Sequence, residues 1–279
     1  MVAEYIKKVI HYIILTLILG IMAFPLLWMF RVSLMPAGSL GSFVELWQGN
    51  FTLKNFYDLF TTSSMGRYIF NSSFVALIVT AGNILFCFMT AYALARYRTI
   101  FTKILFVSVI IILMIPAHIL IVPLYVLMLK AKLYDTYWAL ILPWLVNPIG
   151  IFLLKQYIES LPSTMEDAAR VDGANALRIW WSVVLPLARP ALTAVAIITF
   201  LSTWNSFFWP LIVTRTDAVR TMPVGIAQFM SLRPGMAMNA QAYGRSMAGA
   251  ALAALPPILV FLFLQRYFIE GITMSGIKG

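Results

Sequence analysis

The densest group of charged side chains in this sequence lies between Glu166 and Asp172. It holds carboxylates at Glu166, Asp167 and Asp172 and a guanidinium at Arg170. Charges three and four residues apart pair along a helix surface. The sequence contains no nucleophile elbow, no HExxH zinc motif and no GxxxxGK[ST] phosphate loop. The group therefore predicts binding rather than catalysis.

Local signals predict a helix over residues 163–172. Ser163 with Glu166 three residues later forms a capping-box pattern at its start. Gly173 directly after Asp172 is typical of a helix end, because glycine adopts the left-handed conformation there.

One side of this helix should be smooth. Spacings of three and four residues place Met165, Ala168, Ala169 and Asp172 together, and they predict an i,i+4 ion pair between Glu166 and Arg170 on another side. Small side chains allow close approach of a partner, as a helix lying in a groove requires.

A second short helix is expected over 176–184, before Pro186 and Pro190 turn the chain. Trp180 and Trp181 on this segment suit a helix lying on lipid headgroups equally well. Composition alone leaves headgroup binding and protein docking open.

The elements around this segment must be membrane helices. The chain has 279 residues, of which 62% are hydrophobic and 11% charged, with a mean hydropathy of +0.90. Soluble domains carry about 25% charged residues. Runs without charge that reach the roughly 20 residues needed to cross a bilayer predict a single all-α membrane domain over 1–279. The six predicted spans are 9–30, 68–95, 104–129, 136–154, 190–214 and 246–265. With the N-terminus inside, residues 157–189 form the longest segment on the inner side and are too polar to span.

The first span resembles a signal peptide in having Lys7 and Lys8 before an apolar run. Because the run is too long and no cleavage site of small residues follows Phe30, we expect an anchor that is retained. Cys87 and the isolated His11 and His118 lie in apolar runs, and packing roles are expected for them.

The distribution of charge excludes several classes of function. All ten acidic residues fall outside the predicted spans, whereas ion-coupled carriers use an intramembrane carboxylate. Without a phosphate loop the chain does not hydrolyse ATP itself. The net charge of +10 is spread over the ends of spans, which favours lipid headgroups rather than nucleic acid as the partner. Lys and Arg divide eleven to nine between the two sides, so they leave the topology open.

The order of residues in the charged segment resembles a known signature. Permease subunits of binding-protein-dependent ABC importers carry EAA, three residues, Gly, nine residues and I-x-LP. This sequence has Asp167, Ala168 and Ala169, then Gly173, and ends the pattern with Val183-Val184-Leu185-Pro186. Asp167 replaces the usual Glu and Val183 the usual Ile, while the spacing is unchanged.

The resemblance covers nearly the whole chain. The segments that carry it are FTLKNFYDLF, ARYRTIFTK, LLKQYIESLPSTMEDAARVDGA, TWNSFFWPLIVT and the ending EGITMSGIKG, which look like the carbohydrate-uptake, MalG-like branch of the family.

This resemblance implies a type I ABC importer permease in the bacterial cytoplasmic (inner) membrane, with both termini cytoplasmic. The implied partners are a second permease, an ATPase dimer that holds ATP and Mg²⁺, a periplasmic or lipid-anchored solute-binding protein, and a sugar. This chain itself would bind no cofactor or metal. Its coupling helix would be 163–172, and the implied ATPase-coupling residues are Glu166, Asp167, Ala168, Ala169, Asp172, Gly173, Leu185 and Pro186.

A sugar path should offer amide and aromatic side chains without charge. The candidates for it are Asn83, Asn147, Trp204 and Asn205. Hydrogen bonding between helices is the alternative role for each asparagine. Three other functions stay open: an ABC permease for a non-sugar solute, an ATP-independent transporter or channel, and a membrane scaffold.

Overall fold

A computed structural model describes residues 2–36, 50–231 and 240–273, and every regular element in these ranges is helical. The tail Ser275–Gly279 and much of the loops after the first span and before the last one lie outside the described residues. The α-helices, numbered in chain order, are α1 (Val2–Ser33), α2 (Lys54–Thr62), α3 (Met65–Gly82), α4 (Phe88–Arg96), α5 (Ile100–Met114), α6 (Ile121–Lys130), α7 (Tyr137–Ile141), α8 (Pro148–Ser160), α9 (Thr164–Val171), α10 (Ala176–Ile179), α11 (Leu185–Leu187), α12 (Arg189–Trp204), α13 (Phe208–Val213), α14 (Met222–Ser231) and α15 (Ala240–Thr273).

Four helical stretches are long and apolar enough to cross a membrane. They are Glu4–Ser33, Met65–Arg96, Tyr137–Ser160 and Tyr243–Phe263, and they agree with the first, second, fourth and sixth predicted spans. Two bent pairs of helices correspond to the other two predictions, which gives up to six spans by length and composition.

The third predicted span is not one straight helix. Ile100–Met114 and Ala117–Lys130 meet at an angle of 96°. Pro116 causes the break, because it has no N–H to donate and keeps the preceding residue, Ile115, in an extended conformation (φ −85°, ψ 121°).

The fifth predicted span also differs from its expectation. The segment Ala176–Leu187 meets Arg189–Trp204 at 78°, which confirms the turn expected near Pro186 and Pro190. The helix then ends at Trp204 instead of continuing to residue 214, and α13 begins only at Phe208.

The chain divides into two compact units, Met1–Gly66 with Gly225–Pro256, and Arg67–Val224 with Pro257–Gly279. In the first unit, the buried Asn55 holds the end of α1, because its amide Nδ2 donates to the carbonyls of Ser33 (3.0 Å) and Met35 (2.8 Å). Val32 and Met35 are buried there against Trp28, Tyr243 and Met247.

The second unit contains two apolar clusters. The larger one is built from α4, α8, α12 and the π-helical residues that follow α10. Its fully buried members include Phe88, Leu154, Ile158 and Val184. The smaller one joins α3, α7 and α13 around Val79, Ala139 and Val213. The larger cluster carries the charged segment, and the smaller one forms part of a cavity.

Candidate functional site

Helix α9 begins without the predicted capping box. Ser163 already has a helical conformation (φ −73°, ψ −14°), and its side chain makes no capping hydrogen bond. Glu166, the expected partner, points into the protein, and only 3% of its side chain is exposed. The prediction of a capping box is therefore wrong, because the Glu166 carboxylate pairs with a cation inside the protein instead of with the start of α9.

That cation is Arg96, at the end of α4. Its Nε lies 2.7 Å from Glu166 Oε1, and the hydroxyl of Tyr92 donates to Glu166 Oε2 at 3.2 Å. Arg96 Nη2 also donates to the carbonyl of Leu161 at 3.2 Å. A buried carboxylate requires such partners, because an unpaired charge away from water is costly. The result joins the second span directly to α9.

The predicted pairing of Arg170 with Glu166 is only marginal. The two groups are 4.0 Å apart, whereas Arg170 Nη1 lies 2.7 Å from Asp167 Oδ1. The latter pair is about half exposed, so it contributes little to stability.

The end of α9 confirms the sequence prediction. Gly173 has a φ of +81°, Gly173 N donates to the carbonyl of Arg170 (3.0 Å), and Ala174 N donates to that of Ala169 (2.9 Å). These two bonds define a Schellman motif, which requires a left-handed residue. Gly173 therefore sets the direction in which the chain leaves α9.

The exposed surface of α9 differs from the predicted face in one member. Met165, Ala168 and Asp172 are exposed as expected, but Ala169 is half-buried against the larger apolar cluster. Val171, which the spacing argument left out, is 89% exposed. The helix thus uses Glu166 and Ala169 for attachment to its own chain and leaves Met165, Ala168 and Val171 facing outwards.

The segment after α9 is anchored in the same cluster. Asn175 caps α10 by accepting a hydrogen bond from Arg178 N at 2.9 Å. The predicted helix over 176–184 is present, but its second half, Trp180–Val184, is a π-helix. Trp180 is buried with its ring 5.2 Å from that of Phe88, whereas Trp181 is 61% exposed. Leu185 and Pro186, the end of the signature, are half-buried.

The second unit also contains a partly open cavity of about 420 Å³. Its volume lies within the roughly 300–1,000 Å³ typical of small-molecule sites. The wall contributed by the fifth span carries hydroxyl groups at spacings of three and four residues, namely Thr199, Ser202, Thr203 and Ser206. Other parts of the wall come from Ser72, Thr221, His118, Asn147, Trp144 and Trp209.

Of the four predicted path residues, only Asn147 lies in this wall. Its side chain also caps α8 by accepting from Ile149 N at 3.0 Å. Asn83 is fully buried and donates to the carbonyls of Trp144 (2.7 Å) and Val79 (3.1 Å), so it links two spans. Trp204 is buried with its ring stacked on Phe200, and Asn205 is exposed at the end of α12.

Sequence reasoning missed the hydroxyl groups of this wall. The signal was present, since positions 199, 202, 203 and 206 fall on one helical face. It was missed because amides and aromatic rings were sought instead. Trp209, a further aromatic residue of this wall, is buried, and its Nε1 donates to the carbonyl of Ala139 at 2.9 Å.

The side chain of Asp135 holds the loop after α13. Asp135 Oδ1 accepts from the backbone N–H of Arg215 (2.7 Å) and Thr216 (3.0 Å). Partial burial raises the pKa of Asp135, but the hydrogen bonds from Thr216 and Arg215 outweigh it and leave the pKa below its ordinary value.

Comparison with solved structures identifies the same fold elsewhere. A chain of a bacterial ABC transporter involved in the import of the acidic polysaccharide alginate superimposes with a TM-score of 0.86, covering 95% of this chain and 98% of the other at 21% identity. At this identity the likeness establishes the fold.

Curated relatives are more similar in sequence. The arabinooligosaccharides transport system permease protein AraQ of Halalkalibacterium halodurans is 38% identical over 263 residues, 93% of this chain and 92% of the relative. AraQ of Bacillus subtilis is 35% identical, with 95% and 96% covered. The sn-glycerol-3-phosphate transport system permease protein UgpE of Yersinia enterocolitica is 31% identical, with 77% and 75% covered.

The family model described as binding-protein-dependent transport system inner membrane component matches residues 83–273, which include the cavity wall on α12, the whole of α9 and the Arg96–Glu166 pair. This chain belongs to that family of multi-pass membrane transport subunits.

Proposed function

We propose that this chain is the permease subunit of an ATP-driven ABC importer for a sugar or oligosaccharide. It forms half of the translocation pathway, and α9 couples it to a separate ATPase. Membership of the family and the AraQ relatives support this proposal. The observation that carries the coupling role is the exposed surface of α9, which is held from behind by a buried ion pair.

The surface suits a protein groove better than lipid headgroups. Met165, Ala168 and Val171 are apolar and exposed, while Asp167 and Asp172 beside them are acidic. Helices that lie on anionic headgroups instead carry Lys and Arg on their polar face. These features favour docking over the headgroup interpretation.

The attachment of α9 explains how movement of an ATPase would reach the membrane. Glu166 is bonded to Arg96 at the end of the second span, and Ala169 packs against the cluster that contains α4 and α8. Packed interiors transmit displacement because they are dense. A shift of α9 on ATP binding would therefore move these helices together, as rigid-body transitions require.

The partners in this proposal are a second permease, an ATPase dimer and a solute-binding protein, periplasmic or lipid-anchored. ATP and Mg²⁺ bind at the ATPase, and this chain carries no cofactor of its own. Both termini lie in the cytoplasm, on the side of α9. One structural neighbour was solved in complex with an alginate pentasaccharide-bound periplasmic protein, which supports the binding-protein partner.

Co-purification tests the coupling role. The tagged chain, expressed with its neighbouring genes, is purified in mild detergent as wild type, Val171→Glu and the near-isosteric control Val171→Thr. We expect the ATPase to co-purify with wild type and Val171→Thr and to be lost from Val171→Glu, while the second permease remains. An ATPase that stays on Val171→Glu would overturn the coupling role.

Uptake into proteoliposomes separates the alternatives. An importer takes up sugar only with ATP and the binding protein present. Uptake without ATP would indicate an independent transporter, and assembly without any uptake would indicate a scaffold. ATP-driven uptake of a non-sugar solute alone would indicate the other class of ABC permease.

A further inference from the structure

The fifth span presents a continuous ladder of hydroxyl groups to the cavity. Thr199, Ser202 and Thr203 on α12 lie in its wall, and so does Ser206 in the break before α13. Ser72 adds a further hydroxyl, which accepts a hydrogen bond from Met222 N at 2.8 Å. Ser202 Oγ already donates to the carbonyl of Thr199 at 3.0 Å and keeps its capacity to accept. A hydroxyl without such a bond both donates and accepts, so the ladder complements the hydroxyls of a saccharide without fixing one orientation.

One hydroxyl in this wall lacks a partner. Thr221 is 5% exposed, and its Oγ1 has no hydrogen-bond partner among the described residues. Buried polar groups are nearly always bonded, and the exceptions call for an explanation. Less than 1 Å² of this oxygen is accessible, so Thr221 adds a polar position to the wall rather than an open contact for a ligand.

Aromatic side chains complete the wall. Trp144 and Trp209 both lie in it, with ring centroids 6.2 Å apart and planes at 80°. The bond from Trp209 Nε1 to the carbonyl of Ala139 fixes the orientation of that ring. Aromatic rings offer apolar area to the C–H faces of a sugar, while the hydroxyl ladder meets its polar edge.

Among the described residues, those that line the cavity carry no acidic or basic side chain apart from one histidine. The wall contains no Lys, Arg, Asp or Glu, and His118 is its one side chain that carries an ionisable ring. A carboxylate or phosphate bound there would lose water without gaining a Lys or Arg partner from this chain, whereas proteins recognise these groups with Arg or Lys.

We propose that this cavity is a saccharide subsite that selects neutral sugars over uronates and sugar phosphates. The inference rests on the proposed importer function and adds the charge class of its substrate. It assigns selection to the hydroxyl ladder formed by α12 and by Ser206 just beyond its end, with Thr203 and Ser206 as the specificity-determining residues. The relatives do not decide this, because their names include both arabinooligosaccharides and sn-glycerol-3-phosphate.

Binding to the complete permease–ATPase complex in nanodiscs, without the binding protein, tests the subsite directly. The probes are arabinotriose and a mannuronate trisaccharide. Their binding is measured by saturation-transfer difference NMR, which detects weak binding. We expect arabinotriose to bind and the uronate to give no saturating signal. The double variant Thr203→Val with Ser206→Ala should raise the apparent Kd for arabinotriose roughly tenfold, as expected for two lost neutral hydrogen bonds.

Thr193→Val is the matched control. Thr193 lies on α12 but outside the cavity wall. The apparent Kd of the Thr193→Val variant for arabinotriose should therefore equal that of the wild type. Uronate binding as tight as arabinotriose binding would overturn the selection of neutral sugars. Arabinotriose binding that is unchanged in the double variant would overturn the subsite. Neither result contradicts the proposed importer function as long as the wild type takes up sugar in an ATP-driven way. Only the absence of ATP-driven sugar uptake by the wild type would contradict that function.

Discussion

Arg96 and Glu166 are 70 residues apart in sequence, and their side chains form a buried ion pair with 2.7 Å between Nε and Oε1. The pair connects the last residue of a membrane helix to a short helix outside the membrane. Tyr92 donates a further hydrogen bond to the same carboxylate. Helix α9 is thus attached through a charge contact as well as through apolar packing.

Breaking one half of this pair should be more harmful than removing both halves. Arg96→Met leaves Glu166 buried with only the marginal 4.0 Å contact of Arg170, and we expect a loss of about 3–5 kcal/mol in stability. The double variant Arg96→Met with Glu166→Leu should recover most of it, because no charge stays buried. Thermal unfolding of the purified complex measures the stability of the single and the double variant.

The exposed pair of Arg170 and Asp167 serves as the control. Arg170→Met should change stability by less than about 1 kcal/mol. If Arg96→Met is as mild as Arg170→Met, the buried pair has no special role. ATP-driven uptake should stay low in the double variant even when stability returns, because the attachment is missing.

Gly173 should tolerate asparagine better than valine. A Cβ at this position would meet nothing within 4 Å, so a substitution suffers backbone strain rather than a clash. The φ of +81° costs an L-residue about 1–2 kcal/mol, more for a β-branched one, and asparagine adopts this conformation most readily. Retention of the ATPase on the purified permease should fall in the order Gly, Asn, Val. Equal retention by all three would show that the Schellman motif does not position α9.

Asn83→Leu should destabilise the protein without changing which solute it accepts. The substitution removes hydrogen bonds to the carbonyls of Trp144 and Val79 inside the membrane, worth about 1–2 kcal/mol together. Thermal unfolding should reveal the loss, while the KM ratio for two competing sugars stays at the wild-type value.

The same substitution at the exposed Asn205 is the control for stability. Asn205→Leu should shift stability by less than about 0.5 kcal/mol. A changed KM ratio in Asn83→Leu would return Asn83 to the solute path.

Acid should weaken the loop that Asp135 holds. The pKa of Asp135 is lower in the folded protein than its ordinary value of 3.8, so the ionised form favours folding. Its contribution is present above pH 3.8 and is lost as pH falls through the folded pKa. Asp135→Asn keeps the shape and tolerates the positive φ of 58° but removes the charge. Unfolding temperatures of wild type and variant should converge as pH is lowered from 6 to 3, and a constant difference would contradict this role.

Several local features were predictable because neighbouring residues determine them. The turn at Gly173 depends on backbone preference, and the bend near Pro186 depends on the geometry of proline. The break at Ile115 shows the limit, because hydropathy counts apolar residues and does not detect that Pro116 divides a run of sufficient length into two helices.

The candidate site depended on contacts that local patterns do not contain. Glu166 has two possible partners by spacing, Ser163 and Arg170, but its real partner is Arg96. Ala169 and Ala168 are adjacent and identical in type, and only packing decides which is half-buried. The prediction of Asn83 as a path residue had the same limit. An asparagine inside a span donates its amide hydrogens to the nearest free carbonyl whether or not a solute passes.

The sequence by itself determined that the chain is a helical membrane protein with a polar segment between its fourth and fifth spans, because hydrophobic run length and short-range capping signals act within a few residues. Only the tertiary structure decided which side of α9 faces outwards, which carboxylate is buried, and that the hydroxyls of α12 share a cavity with Trp144 and Trp209. Those outcomes depend on residues distant in sequence competing for the same buried space and hydrogen bonds.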